Sequence, residues 1–329
     1  MLRSLIFKLL SLIVHVRHRK FDRGLRYFCR DTYYCRLIQL KYIFRDYVLR
    51  NKYKEITYEG EFAAELIFVL PFAYWHHKNG TLKKTTSSKY TRELYFFSPD
   101  HEEKFETRTH EGNYNYEIPR VLYSHDYNIS KWAQVPYKEY YQNDVYVFEK
   151  PTLIIGNRYN SEWGGPPISY YDIPMLDYII NNLKNDYTIL YNRPRPQHIT
   201  VDNSAIYNLN DYEWLQETHP EVILMEDLYL ENKGNAKNYN HFQLMVYANC
   251  QHFLSTHGGS SALASCFGGV NIILSKKGPE ATFECFTKLY PKLSNVRNFH
   301  AKTDDEVKEY LNKYFIKSQS IQGEEQILA

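Results

Sequence analysis

From Pro151 to about residue 274 the chain repeats one pattern: a short apolar run, a stretch of helical periodicity, then another apolar run. The runs are Thr152-Leu153-Ile154-Ile155, Tyr187-Thr188-Ile189-Leu190-Tyr191, Val222-Ile223-Leu224-Met225, His252-Phe253-Leu254-Ser255 and Asn271-Ile272-Ile273-Leu274. Between them lie 175–183, 212–217, 242–248 and 262–267. Parallel strands need crossover connections, so this alternation predicts an α/β unit with a parallel sheet and helices on its faces. Ligands of such sheets bind at the carboxyl ends of the strands. The residues directly after each run are therefore where chemistry is expected.

The most informative of these follows the fourth run, in Phe253-Leu254-Ser255-Thr256-His257-Gly258-Gly259-Ser260-Ser261-Ala262. Two glycines allow a sharp turn and close approach to a ligand, and two serines open a helix whose first N–H groups face an anion. This outlines a diphosphate cradle built from Gly258, Gly259, Ser260 and Ser261. A well-capped tight turn would read the same way in isolation. Arg158 follows the first run and Arg193 the second, at the same expected edge, and arginine's fork of donors suits phosphate. A surface ion pair is the plain alternative for each. Glu280 follows the fifth run, where a carboxylate could accept from ribose or sugar hydroxyls. His257 could donate to a phosphate or sugar oxygen, or pack beside the turn.

The first half is less legible. Glu65-Leu66-Ile67-Phe68-Val69-Leu70-Pro71 reads as a buried strand followed by the loop His76-His77-Lys78-Asn79-Gly80, and 94–97 as a second strand. The segment 100–140 shows no clear period.

Ahead of it, residues 1–54 hold 14 Lys/Arg against 3 Asp, a charge of +11, leaving −9 on the other 275 residues. That asymmetry calls for an anionic partner. On a helix, Ser4, Lys8, Ser11 and His15 make one polar stripe beside Leu2, Ile6, Leu9, Leu10, Ile13 and Val14. The segment reads as a basic amphipathic helix, either lying on a membrane surface through residues 1–20 or docked on the protein's own body. Nucleic acid is the weaker partner, because the arginines are interleaved with long apolar residues.

The 5 cysteines include no C-x-x-C pair, which fits a reducing compartment. Two Asn-x-Ser/Thr triplets, at Asn79 and Asn128, matter only in a secretory lumen. The 32 tyrosines are compatible with stacking on sugar rings and equally with core packing. There is no D-x-D, H-E-x-x-H or Walker-type motif, so no metal is expected and a diphosphate must be neutralised by protein groups.

Lys150-Pro151 through Trp163, the Tyr191-Asn192-Arg193-Pro194 turn, and Ser255 through Gly269 resemble the donor-binding half of GT-B glycosyltransferases of surface polysaccharide biosynthesis, over residues 150–315. The resemblance implies two Rossmann-like lobes, at 55–149 for the acceptor and 150–315 for the nucleotide sugar, after a leader at 1–54 and before a tail at 316–329. It implies transfer of a sugar from a nucleotide-sugar donor to a saccharide or lipid-linked saccharide, without cofactor or metal and with inversion, in the cytoplasm or at the inner face of a membrane. His76 and His77 are the expected catalytic base, with Glu111, His101 and Asp126 as alternatives. Arg193-Pro194-Arg195 is a sparser basic motif than fucosyltransferases carry, which leaves the donor open. A non-catalytic protein that binds a nucleotide sugar or glycan is the other reading.

Overall fold

The computed structural model describes residues 2–119, 127–162, 164–195 and 205–316. Asp126, Trp163 and the tail from 317 lie outside them. The leader is a pair of packed helices, α1 (Leu2–Arg17) and α2 (Arg26–Leu40), followed by a π-helical turn at Arg45–Leu49. One side of α1 buries Leu10 and Val14, while Leu2, Leu9 and Ile13 of the expected apolar face stay exposed with Leu5, Leu12 and Val16. Among the described residues no helix is long and apolar enough to cross a membrane.

Next comes a three-stranded parallel sheet in chain order, β1 (Lys54–Thr57), β2 (Leu82–Ser88) and β3 (His101–Phe105). Here the sequence reading needs correction. The run 65–71 is helical: α3 (Phe62–Ala64) passes through a π-helical turn, Glu65–Val69, into α4 (Leu70–Lys78). Leu66, Ile67, Phe68, Val69, Leu70, Phe72 and Ala73 are all buried, so the helix has core on every side and shows no amphipathic period. A continuous apolar run does not distinguish such a helix from a buried strand. Residues 94–97 form a turn. The true strands β2 and β3, LKKTTSS and HEEKF, are too polar to stand out. After the short α5 (Tyr137–Tyr141) the chain enters the larger sheet.

That sheet follows the expected alternation. Its strands are β4 (Thr152–Gly156), β5 (Thr188–Asn192), β6 (Ile223–Leu224), β7 (His252–Thr256), β8 (Val270–Leu274) and β9 (Arg297–Ala301). All pairs are parallel and the spatial order is β6-β5-β4-β7-β8-β9. This is the doubly wound order, with its reversal point between β4 and β7. The helices are α6 (Ile173–Leu183), α7 (Asp211–Thr218), α8 (Met225–Glu231), α9 (Tyr239–Ala248), α10 (Gly259–Ala264), α11 (Pro279–Thr282), α12 (Cys285–Lys288) and α13 (Asp304–Tyr314). Asp172 caps α6 by accepting from Met175 N at 2.9 Å, and Thr303 caps α13 by accepting from Glu306 N at 3.2 Å.

The period of two along each strand sorts its side chains between two cores. Leu153, Ile155, Ile189, Leu254, Ile272 and Leu274 pack with α6 and α13. Ile154, Leu190, Phe253 and Ile273 face the opposite way, toward α9, α10 and α12. That second core continues into Leu66, Ile67 and Phe72 of the first half and into Phe28 of α2. The loops at the carboxyl end of the large sheet are thereby held against α3 and the tip of α2.

Candidate functional site

A cavity of about 600 Å³ opens where those loops meet. One wall is the reversal point of the large sheet. Gly156 ends β4, and Ser260 Oγ donates to its carbonyl at 2.8 Å. A Cβ at residue 156 would stand 2.3 Å from that hydroxyl and would turn the serine off this hydrogen bond. Gly258 has φ +88°, a left-handed conformation open to glycine, and a Cβ there would lie 2.5 Å from Arg158 Nη1. The Arg158 guanidinium thus rests on the Gly258 backbone. Its Nη1 donates to His257 O at 3.3 Å, Nε is buried without a partner, and among the described residues no carboxylate pairs with it.

His257 lies beneath, buried, with Nε2 3.8 Å from Glu162 Oε2. Burial and the Arg158 charge push its pKa down to about 3, so the imidazole is neutral near pH 7. Glu162 is held by the backbone N–H groups of Ile168 at 3.1 Å and Ser169 at 2.8 Å. Glu280, in α11, and Tyr290 complete this side. Of the expected donor-side residues, Arg158, Arg193, His257, Gly258, Gly259, Ser260 and Glu280 all line the cavity.

Two of these expectations change in detail. Arg193 lines the wall, yet its fork is closed on Asp211, with Nε to Oδ2 at 2.6 Å and Nη2 to Oδ1 at 2.5 Å. The Tyr191 hydroxyl donates to the same carboxylate. Arg193 therefore ties the loop after β5 to α7, and Arg158 is the cation left facing the cavity. Ser261 turns inward: it is fully buried, donates to Gly258 O at 3.0 Å and is absent from the wall.

The expected catalytic base lies away from the opposite wall. Neither His76 nor His77 reaches the cavity. Because 65–71 is helical, Ile67 is the residue that reaches it, and His76 lies roughly 13 Å further along the helix at 1.5 Å per residue. His76 is buried against Thr81 Oγ1 at 2.7 Å, and burial pushes its pKa down to about 3. His101 sits inside β3 between Thr85 and Thr91, with its pKa pushed down to about 4 by burial, and Glu111 also lies off the wall. Asp126 is outside the described residues.

Glu61 and His110 occupy that wall instead, with Glu61 Oε1 3.4 Å from His110 Nδ1. Two glycines bring their loops together: a Cβ on Gly112 would meet Gly60 N at 2.5 Å. Asn113 Oδ1 accepts from Glu61 N at 3.0 Å and from the Tyr58 hydroxyl at 2.8 Å, fixing the loop after β1. Phe62, next to Glu61, approaches to 3.0 Å from where a Cβ on Gly259 would stand, so the two walls touch at that point. Arg108 is buried, donating to Glu65 Oε2 at 2.6 Å and Gly60 O at 2.9 Å. Glu65 also accepts from Tyr95 at 2.8 Å and from Ser87. Tyr27 and Phe28 of α2 close one side. The sequence does not single out Glu61 and His110, because the apolar run at 65–71 is a stronger strand signal than 54–57. The available signal was the alternation through Ile56 and Tyr58 followed by Gly60.

Among the described residues no group of three or more His, Cys, Asp or Glu side chains is placed to hold a metal ion. No family model matches the chain, and no curated protein matches it. Two solved structures are similar to it in fold. The Escherichia coli ADP-heptose LPS heptosyltransferase II aligns at 10% identity and TM-score 0.49, over 79% of this chain and 98% of its own. A glycosyl transferase family 9 structure from Veillonella parvula aligns at 9% identity and TM-score 0.43, over 80% of this chain and 90% of its own.

Proposed function

We propose that the cavity binds a nucleotide sugar and that the protein transfers the sugar to a saccharide acceptor as a two-lobed, GT-B-like glycosyltransferase. The observation that carries this reading is Arg158. Its guanidinium, with one hydrogen bond and no ion pair among the described residues, rests on a left-handed glycine at the reversal point of a doubly wound sheet. That is where the diphosphate of a nucleotide is bound in such folds, and a guanidinium matches its oxygens.

In this reading the diphosphate lies across Gly258, Gly259 and Ser260, with Arg158 offsetting its charge without a metal. Glu280 accepts from a donor hydroxyl, and the neutral His257 sets the floor. On the facing wall, Glu61 takes the role expected of His76 and His77. The acceptor oxygen attacks the anomeric carbon, its proton passes to the Glu61 carboxylate, and the bond to the diphosphate breaks with its electron pair leaving on the phosphate oxygen. A single displacement inverts the anomeric centre. His110, against Glu61, positions that carboxylate.

The test is thermal stabilisation by UDP, GDP, CMP and dTDP, with and without added magnesium, on the native protein and on Arg158→Ala and Glu61→Gln. One nucleotide should stabilise the native protein and Glu61→Gln alike, but not Arg158→Ala. With the matching nucleotide sugars, Glu61→Gln should lose turnover. Absence of any response in folded protein ends the reading; nucleotide binding unaffected by Arg158→Ala removes its central support.

A further inference from the structure

Along α1, Leu2, Leu5, Leu9, Leu12 and Val16 recur at intervals of three and four, one stripe of a helix. All are exposed, from 56% at Val16 to 73% at Leu2. The helix is nonetheless docked: Leu10 and Val14 are buried on another side, and Phe7 meets Tyr34 with ring centroids 4.6 Å apart. The stripe is thus an outward face of a fixed element. Leu37, Leu40, Ile43, Phe44 and Val48 extend the exposed apolar surface further along the leader. Single exposed leucines are ordinary, but a contiguous apolar stripe marks a surface that meets something.

Charge selects the partner. Arg17, Arg19, Lys20 and Arg23 cluster at the turn between α1 and α2, exposed, and none is in an ion pair among the described residues. The leader as a whole carries +11. A second copy of the chain would set this charge against itself, whereas an anionic bilayer takes both the apolar stripe and the cations. The same hairpin reaches the cavity. Tyr27 and Phe28 form part of its wall, and Phe21 packs on Phe283, ring centroids 4.6 Å apart, three residues beyond the cavity-lining Glu280.

We propose that the hairpin of α1 and α2 seats the protein on an anionic bilayer surface through the leucine stripe and the basic turn. The seating stands on the hairpin alone and does not depend on the glycosyl-transfer reading.

Flotation with phosphatidylcholine vesicles, and with vesicles of phosphatidylcholine and phosphatidylglycerol in equal parts, tests the seating. Binding should require the anionic lipid. It should weaken about tenfold or more in Leu5→Glu/Leu9→Glu/Leu12→Glu and in Arg19→Glu/Lys20→Glu/Arg23→Glu, since each cation contributes severalfold near such a surface. These positions are exposed, so melting temperatures should hold. Equal binding to neutral vesicles, or unchanged binding by both variants, overturns the seating. So does a dimer in light scattering that Leu9→Glu dissociates while vesicles are ignored.

Nucleotide titration without vesicles is a separate measurement, so its failure beside successful flotation strikes glycosyl transfer and leaves the seating intact.

Discussion

The two sheets hold their walls of the cavity by different chemistry. In the six-stranded sheet the central strands are apolar on both faces, and the reversal of strand order between β4 and β7 delivers Arg158 and Gly258 to one place by backbone geometry. The three-stranded sheet has little apolar surface along β2, where Thr85, Ser87 and Ser88 are buried. Its wall is fixed by buried polar partners, chiefly Glu65 with Arg108, Ser87 and Tyr95. A wall made by strand order tolerates exchange of individual side chains; one made by a buried ion pair depends on each member.

The sharpest way to break that contrast is to remove one charge from each side. Glu65→Ala should cost about 3–5 kcal/mol because it strands Arg108 in the interior. Asp211→Ala should cost a similar amount by stranding Arg193. Urea unfolding measures both, and the contrast concerns ligand binding. Glu65→Ala should also displace Gly60 and Glu61 and abolish turnover, while Asp211→Ala should leave Arg158 and nucleotide binding largely in place. Equal loss of nucleotide binding in both would show that the two walls are one cooperative unit.

Smaller in free energy is Arg158→Ala. A charge-assisted hydrogen bond to a ligand is worth about 1.5–3 kcal/mol, so nucleotide affinity should fall roughly tenfold to a hundredfold. Stability should scarcely change, because the Arg158 guanidinium makes one hydrogen bond among the described residues. A melting temperature that drops with affinity would mark Arg158 as structural, like Arg193.

Acid titration probes the buried histidines on each side. Burial lowers His76 to about 3 and His101 to about 4 in the smaller sheet's surroundings, and His257 to about 3 beneath the cavity, all from 6.5. The unfolded chain binds these protons below about pH 6.5 and the folded chain does not, so stability is complete above that pH and falls as pH drops toward 3. The slope is about 1.4 kcal/mol per pH unit for each histidine that stays neutral in the fold. His76→Gln should flatten it without touching nucleotide affinity. An unaltered slope would mean that water reaches the imidazole.

The mildest test is Asp172→Ala, which removes the cap of α6 on the far face of the large sheet and should cost about 1 kcal/mol in urea unfolding. Loss of nucleotide affinity there would contradict the view that the face away from the cavity is purely a packing face.

By itself the sequence determined the alternating half of the molecule. Each strand from β4 to β8 was visible because its apolar run is short, bounded and followed by helical periodicity, and with the strands came the loops that hold Arg158, His257, Gly258 and Glu280. Strand β9, RNFHA, was missed because its polar residues hide the period. Tertiary structure alone decided three matters. Whether the apolar run at 65–71 is a strand or a helix depends on what surrounds it, since a segment buried on all sides loses the period that names it. Which arginine keeps its guanidinium open to the cavity depends on a carboxylate 18 residues away in sequence, Asp211, that closes on Arg193. Which acid of the first half lines the cavity depends on Gly60 and Gly112 bringing separate loops into contact. Periodicity is local and can be read along the chain; ion pairs and loop contacts join distant residues, and only folding chooses between their possible partners.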